Sequence, residues 1–226
     1  MRLPRDIRPY GTDGLLLEWE ARIDPGISRG VHAFAAALRK LRGVSECVPG
    51  YASLLCTFDR RQLSMQALRD HVYDLRPADG AIIDAPLHRL PVAYGGGYGP
   101  DLESVARSSG LSPDEVTARH AATEYLVYLL GFRPGFAFLG QTEAAVEVPR
   151  RMQPRQRVPA GAVGLAGRQT GVYPAPGPGG WQLIGRCPWP MLAEDGQPRL
   201  RPGHRVRFYP IAGNDFAAYA KGVQWD

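Results

Sequence analysis

The 226-residue chain has few cysteines, no long apolar run and no concentrated basic tract, and each shortage excludes a class of protein. Cys47, Cys56 and Cys187 stand apart without metal-ligand spacing, and an odd number with no framework reads as reduced thiols. No apolar stretch approaches the roughly 20 residues that span a bilayer, so no membrane association is expected. The N-terminal run Met1-Arg-Leu-Pro-Arg-Asp has neither an apolar core nor a small-residue cleavage site. It does not read as a signal peptide, and a cytoplasmic location is expected. The net charge of +5 comes mostly from arginines spread between Arg2 and Arg207, with one local cluster from Arg150 to Arg157. Nucleic-acid binding needs a continuous phosphate-tracking stripe, so no nucleic-acid partner is expected. The chain also lacks a nucleophile elbow, a P-loop, a zinc pair and a dinucleotide fingerprint. The Gly95-Gly96-Gly97 turn has no phosphate-loop lysine, and no biotin-accepting Ala-Met-Lys-Met appears. A chain with no metal, biotin or self-contained ATP site reads as one member of an enzyme complex, not as a complete enzyme.

What is present is an ordinary soluble composition, 44% hydrophobic and 22% charged, with 27 glycines and 21 prolines. From the N-terminus, Arg8 to Glu20 reads as a strand, and Asp24-Pro25-Gly26 as a turn that opens a helix over Ile27 to Arg42. Val44 to Val48 and Ala52 to Phe58 read as strands joined through Pro49-Gly50-Tyr51, followed by a helix from Arg61 to Leu75. A strand at about His88 to Tyr94 would complete a ferredoxin-like split βαβ unit. The proline- and glycine-bearing stretch from Arg76 to Leu87 reads as a connector. The expected organisation is α+β, with an N-terminal domain over 1–86 and a β-barrel domain over 87–226. Within the second part, Asp101 is expected to cap a short helix to about Ser108. Ser112 caps another that starts at Pro113 and ends near Ala121. Short strands follow near Tyr125–Gly131, Ala145–Val148, Val163–Ala166, Trp181–Cys187 and His204–Tyr209. In the last, Val206 and Phe208 alternate inward against outward arginines.

Two glycine-rich runs, Tyr125 to Gly140 and Val158 to Arg186, organise the second half. Glycine and proline together shape rigid loops, and such loops display functional side chains. His120, just before the first run, suits a general base or a hydrogen-bond partner of a carbonyl, or else a helix C-terminal cap. Gln169 and Thr170 lie where a primary amide and hydroxyl can meet a lactam or carboxylate. Arg186 can clamp a carboxylate with its planar fork, or stand as a rim residue. Tyr173 and Trp181 can wall an apolar cleft or pack the core. Phe132 and Phe136 divide between core and cleft.

In order along the chain, Val48–Leu55, Tyr94–Leu102, His120, Gly131–Phe136, Val158–Gly164, Gly167–Pro174, Pro178–Arg186 and Pro202–Phe208 resemble the 5-oxoprolinase B-subunit family. That family is also described as allophanate hydrolase subunit 1 or KipI-type sporulation-kinase inhibitors. The resemblance spans essentially the whole chain. It implies a cyclophilin-like barrel that works beside two other 5-oxoprolinase subunits, one A-type and one C-type. The C-type partner is related to the carboxyltransferase part of urea carboxylases. Together they would open 5-oxoproline to glutamate with ATP hydrolysis, the nucleotide being handled by the complex. This chain would be inactive alone, with His120, Gln169 and Arg186 in catalytic roles. Phe132, Phe136, Thr170, Tyr173 and Trp181 would line the site of a small amide or lactam. The resemblance also leaves open a carboxyltransferase or allophanate-hydrolase role in urea-type metabolism, and a non-enzymatic module that binds a sensor histidine kinase. Ala137, where proline is common, and Gly140-Gln141-Thr142-Glu143, which lacks a second glycine and leucine, depart from the family pattern.

Overall fold

The computed structural model describes residues 3–77, 86–223 and 225. The chain divides into two compact units, Met1–Asp84 and Ala85–Asp226. The expected connector at 76–87 falls, for residues 78–85, outside the described residues. Among the described residues no helix is long and apolar enough to cross a membrane, and no three metal-ligating side chains are grouped.

The first unit opens with a hairpin of β1 (Asp6–Tyr10) and β2 (Gly14–Glu18), where the sequence predicts a single strand. Helix α1 (Pro25–Leu38) begins where Asp24 accepts from the Ile27 amide and Pro25 takes the first turn, and it buries Ile27, Val31, Phe34, Ala35 and Leu38. Strands β3 (Val44–Pro49) and β4 (Ser53–Phe58) pair as the expected hairpin. Helix α2 (Met65–Asp74) starts four residues later than expected, because Asp59 holds the Arg61 amide and Gln62 side chain in a turn and Ser64 caps the helix. The antiparallel sheet has the order β1-β2-β4-β3. Strand β4 therefore lies between β2 and β3, as in a split βαβ, but the place beside β2 belongs to β1. The expectation that His88–Tyr94 completes this sheet is overturned, and with it the ferredoxin-like strand order read from the sequence. Those residues are buried at His88 and from Leu90 to Ala93, a pattern that needs cover on both faces. Strand β1 buries only Ile7 and carries Pro9, which suits an edge.

The second unit is a closed barrel. It comprises β5 (Leu87–Tyr94), β6 (Glu124–Leu130), β7 (Ala137–Gly140), β9 (Ala162–Ala166), β10 (Gln169–Val172), β12 (Gln182–Arg186) and β13 (Arg205–Ile211). The order is β10-β7-β6-β13-β5-β12-β9, with β5 and β13 parallel and every other pair antiparallel. Leu90, Val92, Val127, Leu139, Val163, Leu165, Val206 and Phe208 fill it. Helix α3 (Leu102–Ser109) is followed by α4 (Pro113–Ala122), where Ser112 caps the helix as expected and forms a capping box with Glu115. A two-stranded ribbon, β8 (Arg155–Val158) with β11 (Gly177–Gly179), stands apart from the barrel sheet, and α5 (Phe216–Lys221) follows β13. Residues Ala144–Val146 form a 3₁₀ turn in place of the expected strand, with only a single bridge from Val148 to Gly167.

Candidate functional site

Strand β9 separates two environments by alternation. Val163 and Leu165 face the barrel core, whereas Ala162 and Ala166 join an outer cluster with Phe136, Val158, Tyr173, Trp181 and Leu183. Beside that outer cluster lies a cavity of about 400 Å³ walled by Phe132, Phe136, Phe138, Tyr173 and Trp181, with Arg150 and Gly179 among its lining. Four of the aromatic residues singled out in the sequence thus meet in one place. Phe136 is the hub, with edge-on contacts to Phe132, Phe138, Tyr173 and Trp181 at centroid distances of 5.7, 4.8, 5.2 and 5.4 Å. Phe136 is buried and Phe132 is 61% exposed, and both line the cavity. Phe132 reaches the mouth through a tight turn in which the Arg133 amide donates to the Gly131 carbonyl at 2.7 Å, with Phe132 itself at φ +66°. A bulky residue in that conformation costs on the order of 1 kcal/mol and is held there by its surroundings.

The cavity is electropositive. Arg150 lines it, and Arg133 anchors on the Pro176 carbonyl at 2.8 Å while lying over the Phe132 ring. Burial raises the Tyr173 hydroxyl above its ordinary pKa, opposed by a hydrogen bond from the Trp181 amide and the charges of Arg150, Arg133 and Arg155. Gly179 makes this arrangement possible, since a Cβ there would stand 2.5 Å from the Tyr173 hydroxyl.

Asp101 does not cap α3, as the sequence suggested. Its buried carboxylate accepts from the Leu183 amide at 2.6 Å, from Arg155 at 2.7 Å and from Arg151 at 3.1 Å. One buried carboxylate so fixes the arginine-rich segment next to Arg150, helped by the Arg151 amide on the Gly180 carbonyl. The sequence showed the arginine cluster but carried no sign of Arg150 as a cavity residue. Its signals were proximity to the second glycine-rich run and the family-like Pro149-Arg150 pair.

His120 lies elsewhere. It is fully buried against the barrel core, stacked on Phe208 at 4.7 Å. Its Nδ1 lies 2.7 Å from the Tyr94 hydroxyl and its Nε2 lies 2.9 Å from Thr170 Oγ1. Thr170 gives its one proton to the Gly164 carbonyl at 3.0 Å, so it accepts from Nε2–H, and Nδ1 accepts from Tyr94. Burial lowers the His120 pKa to about 3. A neutral imidazole with both nitrogens engaged and no solvent contact has no free lone pair for a substrate proton, and it does not cap α4 either. Both roles expected of His120 are corrected by this geometry, and Thr170 is its partner inside the wall.

Gln169 follows the opposite face from Thr170, opposite Ala166 and Gly140. Arg186 is opposite Ala162, four residues away along β9, roughly 13 Å at strand rise. Its Nε donates to the Ala160 carbonyl at 2.8 Å and its guanidinium lies over Phe216. Gln169 and Arg186 therefore do not converge on one ligand, and neither lines the aromatic cavity. The glycine turn is also explained by packing. The Gly95 amide donates to the Ile184 carbonyl at 3.0 Å, and a Cβ at Gly99 would collide with that same carbonyl. A larger groove of about 1010 Å³ runs between α4, α5 and the β5–β13 face and contains none of the expected site residues.

Residues 5–200 match the family described as the carboxyltransferase domain, subdomain C and D. The chain is 36% identical to the B-subunit of 5-oxoprolinase from Bacillus subtilis (strain 168), over 97% of this chain and 98% of that protein. The solved structure of TTHA0988 superposes with a TM-score of 0.79 at 37% identity, over 92% of this chain. This chain spans only 40% of that one. The urea amidolyase of K. lactis shares the fold, with a TM-score of 0.77 at 19% identity over 97% of this chain and 16% of its own. With the aromatic cavity built from the same glycine-rich loops that carry the resemblance, the chain belongs to the 5-oxoprolinase B-subunit family.

Proposed function

We propose that this chain is the member of an ATP-dependent 5-oxoprolinase that holds the lactam, while its A-type and C-type partners complete the reaction to glutamate. The observation that carries this reading is the aromatic cavity with Arg150 in its lining. The flat, weakly polar lactam ring packs on the faces of Phe136 and Trp181, and the ring carboxylate pairs with the Arg150 guanidinium. Burial raises the Tyr173 hydroxyl above its ordinary pKa, so it keeps a proton to give to the lactam carbonyl oxygen. A resonance-stabilised amide resists water, and ATP supplies the chemistry that makes its carbonyl electrophilic. The nucleotide is assigned to the partner subunits, in keeping with the lack of a phosphate-loop lysine beside Gly95-Gly96-Gly97. The chain's own part is to orient the ring, exclude water with Phe132 at the mouth and neutralise the carboxylate.

Reconstitution with the two partner subunits tests the reading. The complex is expected to hydrolyse ATP only when 5-oxoproline is present, and this chain alone is expected to hydrolyse none. Turnover by the single chain, or a complete complex indifferent to 5-oxoproline, overturns it.

A further inference from the structure

Cys47 on β3 and Cys56 on β4 face each other directly in the antiparallel register, and their sulfurs are 3.8 Å apart. Ladder parity identifies the kind of pair. The Gly50 amide donates to the Ser53 carbonyl at 2.7 Å, which makes 50/53 a hydrogen-bonded pair. Pairs alternate from there, so 49/54 is non-hydrogen-bonded, as a proline at 49 requires, 48/55 is hydrogen-bonded and 47/56 is non-hydrogen-bonded. Non-hydrogen-bonded positions bring Cα atoms to about 4.5 Å, inside the range of about 4.4–6.8 Å that a disulfide accepts. A small side-chain rotation is then enough to bring sulfurs from contact to bonding distance, with no backbone movement.

We propose that Cys47 and Cys56 are an oxidation site of the N-terminal unit, closing a cross-strand disulfide when hydrogen peroxide oxidises the protein. Cys47 is the attacking sulfur. It lies on the edge strand of the sheet, and the Arg39 guanidinium donates to its backbone carbonyl at 2.8 Å. The side-chain hydrogen bond with Cys56 holds the Cys47 thiol below its ordinary range against the opposing effects of burial and of Glu46, and the Arg39 charge adds to it. The Cys47 thiolate attacks one peroxide oxygen, the O–O bond breaks, and hydroxide leaves as a sulfenic acid forms. The Cys56 sulfur then displaces that hydroxyl, the S–S bond forms, and its proton leaves with the oxygen as water. Two thiols lose two electrons in all, and the peroxide gains them as two waters.

Cys187 is the internal control. All three cysteines are buried, but the Cys187 sulfur faces the Trp189 carbonyl and no second sulfur, and burial pushes its thiol up to about 12. The full-length chain is treated with hydrogen peroxide, denatured, and its free thiols are counted, with peptide mapping of any cross-link. The expected result is loss of two of the three thiols, a mass lower by two hydrogen atoms, and one peptide linking Cys47 to Cys56. Cys187→Ser should behave identically, and Cys47→Ser should form no intramolecular cross-link. Retention of all three thiols, a cross-link through Cys187, or sulfinic acid at Cys47 with Cys56 still free overturns the proposal. Because the wild-type map decides the matter, a variant that fails to fold leaves the test intact.

Discussion

His120 keeps a neutral imidazole in the barrel because every polar atom around it has a defined role, from the Tyr94 hydroxyl through the ring to Thr170 and the Gly164 carbonyl. Its pKa is about 3 in the folded chain, against about 6.5 unfolded. The unfolded state therefore binds the extra proton between those values. The stability this residue contributes is fully present above about pH 6.5 and is lost as pH falls toward 3. The slope reaches at most about 1.4 kcal/mol per pH unit. Denaturant midpoints at pH 7 and pH 5 should differ more for the wild type than for His120→Gln, and equal differences would contradict a buried neutral histidine. Thr170→Val should cost about 1–3 kcal/mol by leaving Nε2–H without an acceptor. Sequence alone could not separate Thr170 from Gln169, because two adjacent polar residues between glycines look alike. Only the register that sets Thr170 against Leu165 and Gln169 against Ala166 tells inside from outside. His120 was misread for a related reason, since its stacking partner Phe208 comes from the far end of the chain.

Among the elements, α3 and the Arg150–Arg155 segment depend on the Asp101 carboxylate, which binds the Leu183 amide and two guanidinium groups. Asp101→Ala strands a buried amide and two cations. Thermal melts should show a loss of about 1.5–3 kcal/mol, discounted because both arginines are partly exposed. Melting indistinguishable from wild type would show that solvent replaces the carboxylate. In the ribbon, Gly179→Ala should push the Tyr173 hydroxyl out of place and weaken ligand binding while leaving the barrel folded, checked by ligand titration beside circular dichroism. Helices α1 to α4 were legible, since apolar faces and the Ser112 cap are local signals, whereas the six-residue α5 was not read. Strands β7, β8, β10 and β11 were missed because three or four residues are too few to show a readable period. The placement of β5 was missed for the opposite reason. A run buried on both faces has no alternation, and the sequence does not say which sheet it enters.

At the scale of the whole molecule, the barrel core draws on residues from Leu90 to Phe208 together with Trp225, all within the second unit. A fragment beginning at Pro86 should therefore fold alone, with a cooperative melt followed through Trp181, Trp189 and Trp225; a non-cooperative transition would mean that the barrel needs the first unit. The family and the β-barrel were legible because an ordered series of glycine loops along the chain is hard to produce by accident. The partners of the site were not, because Arg150 enters the cavity through a carboxylate and a ribbon that only the fold brings together. The central claim is that Arg150 holds the substrate carboxylate over the aromatic wall. Its most direct measurement is the KM for 5-oxoproline of the reconstituted complex carrying Arg150→Ala. Loss of a charged hydrogen bond worth roughly 1.5–3 kcal/mol predicts a KM raised about ten- to a hundredfold with the melting temperature of the chain unchanged, and a KM equal to that of the wild type would contradict the assignment.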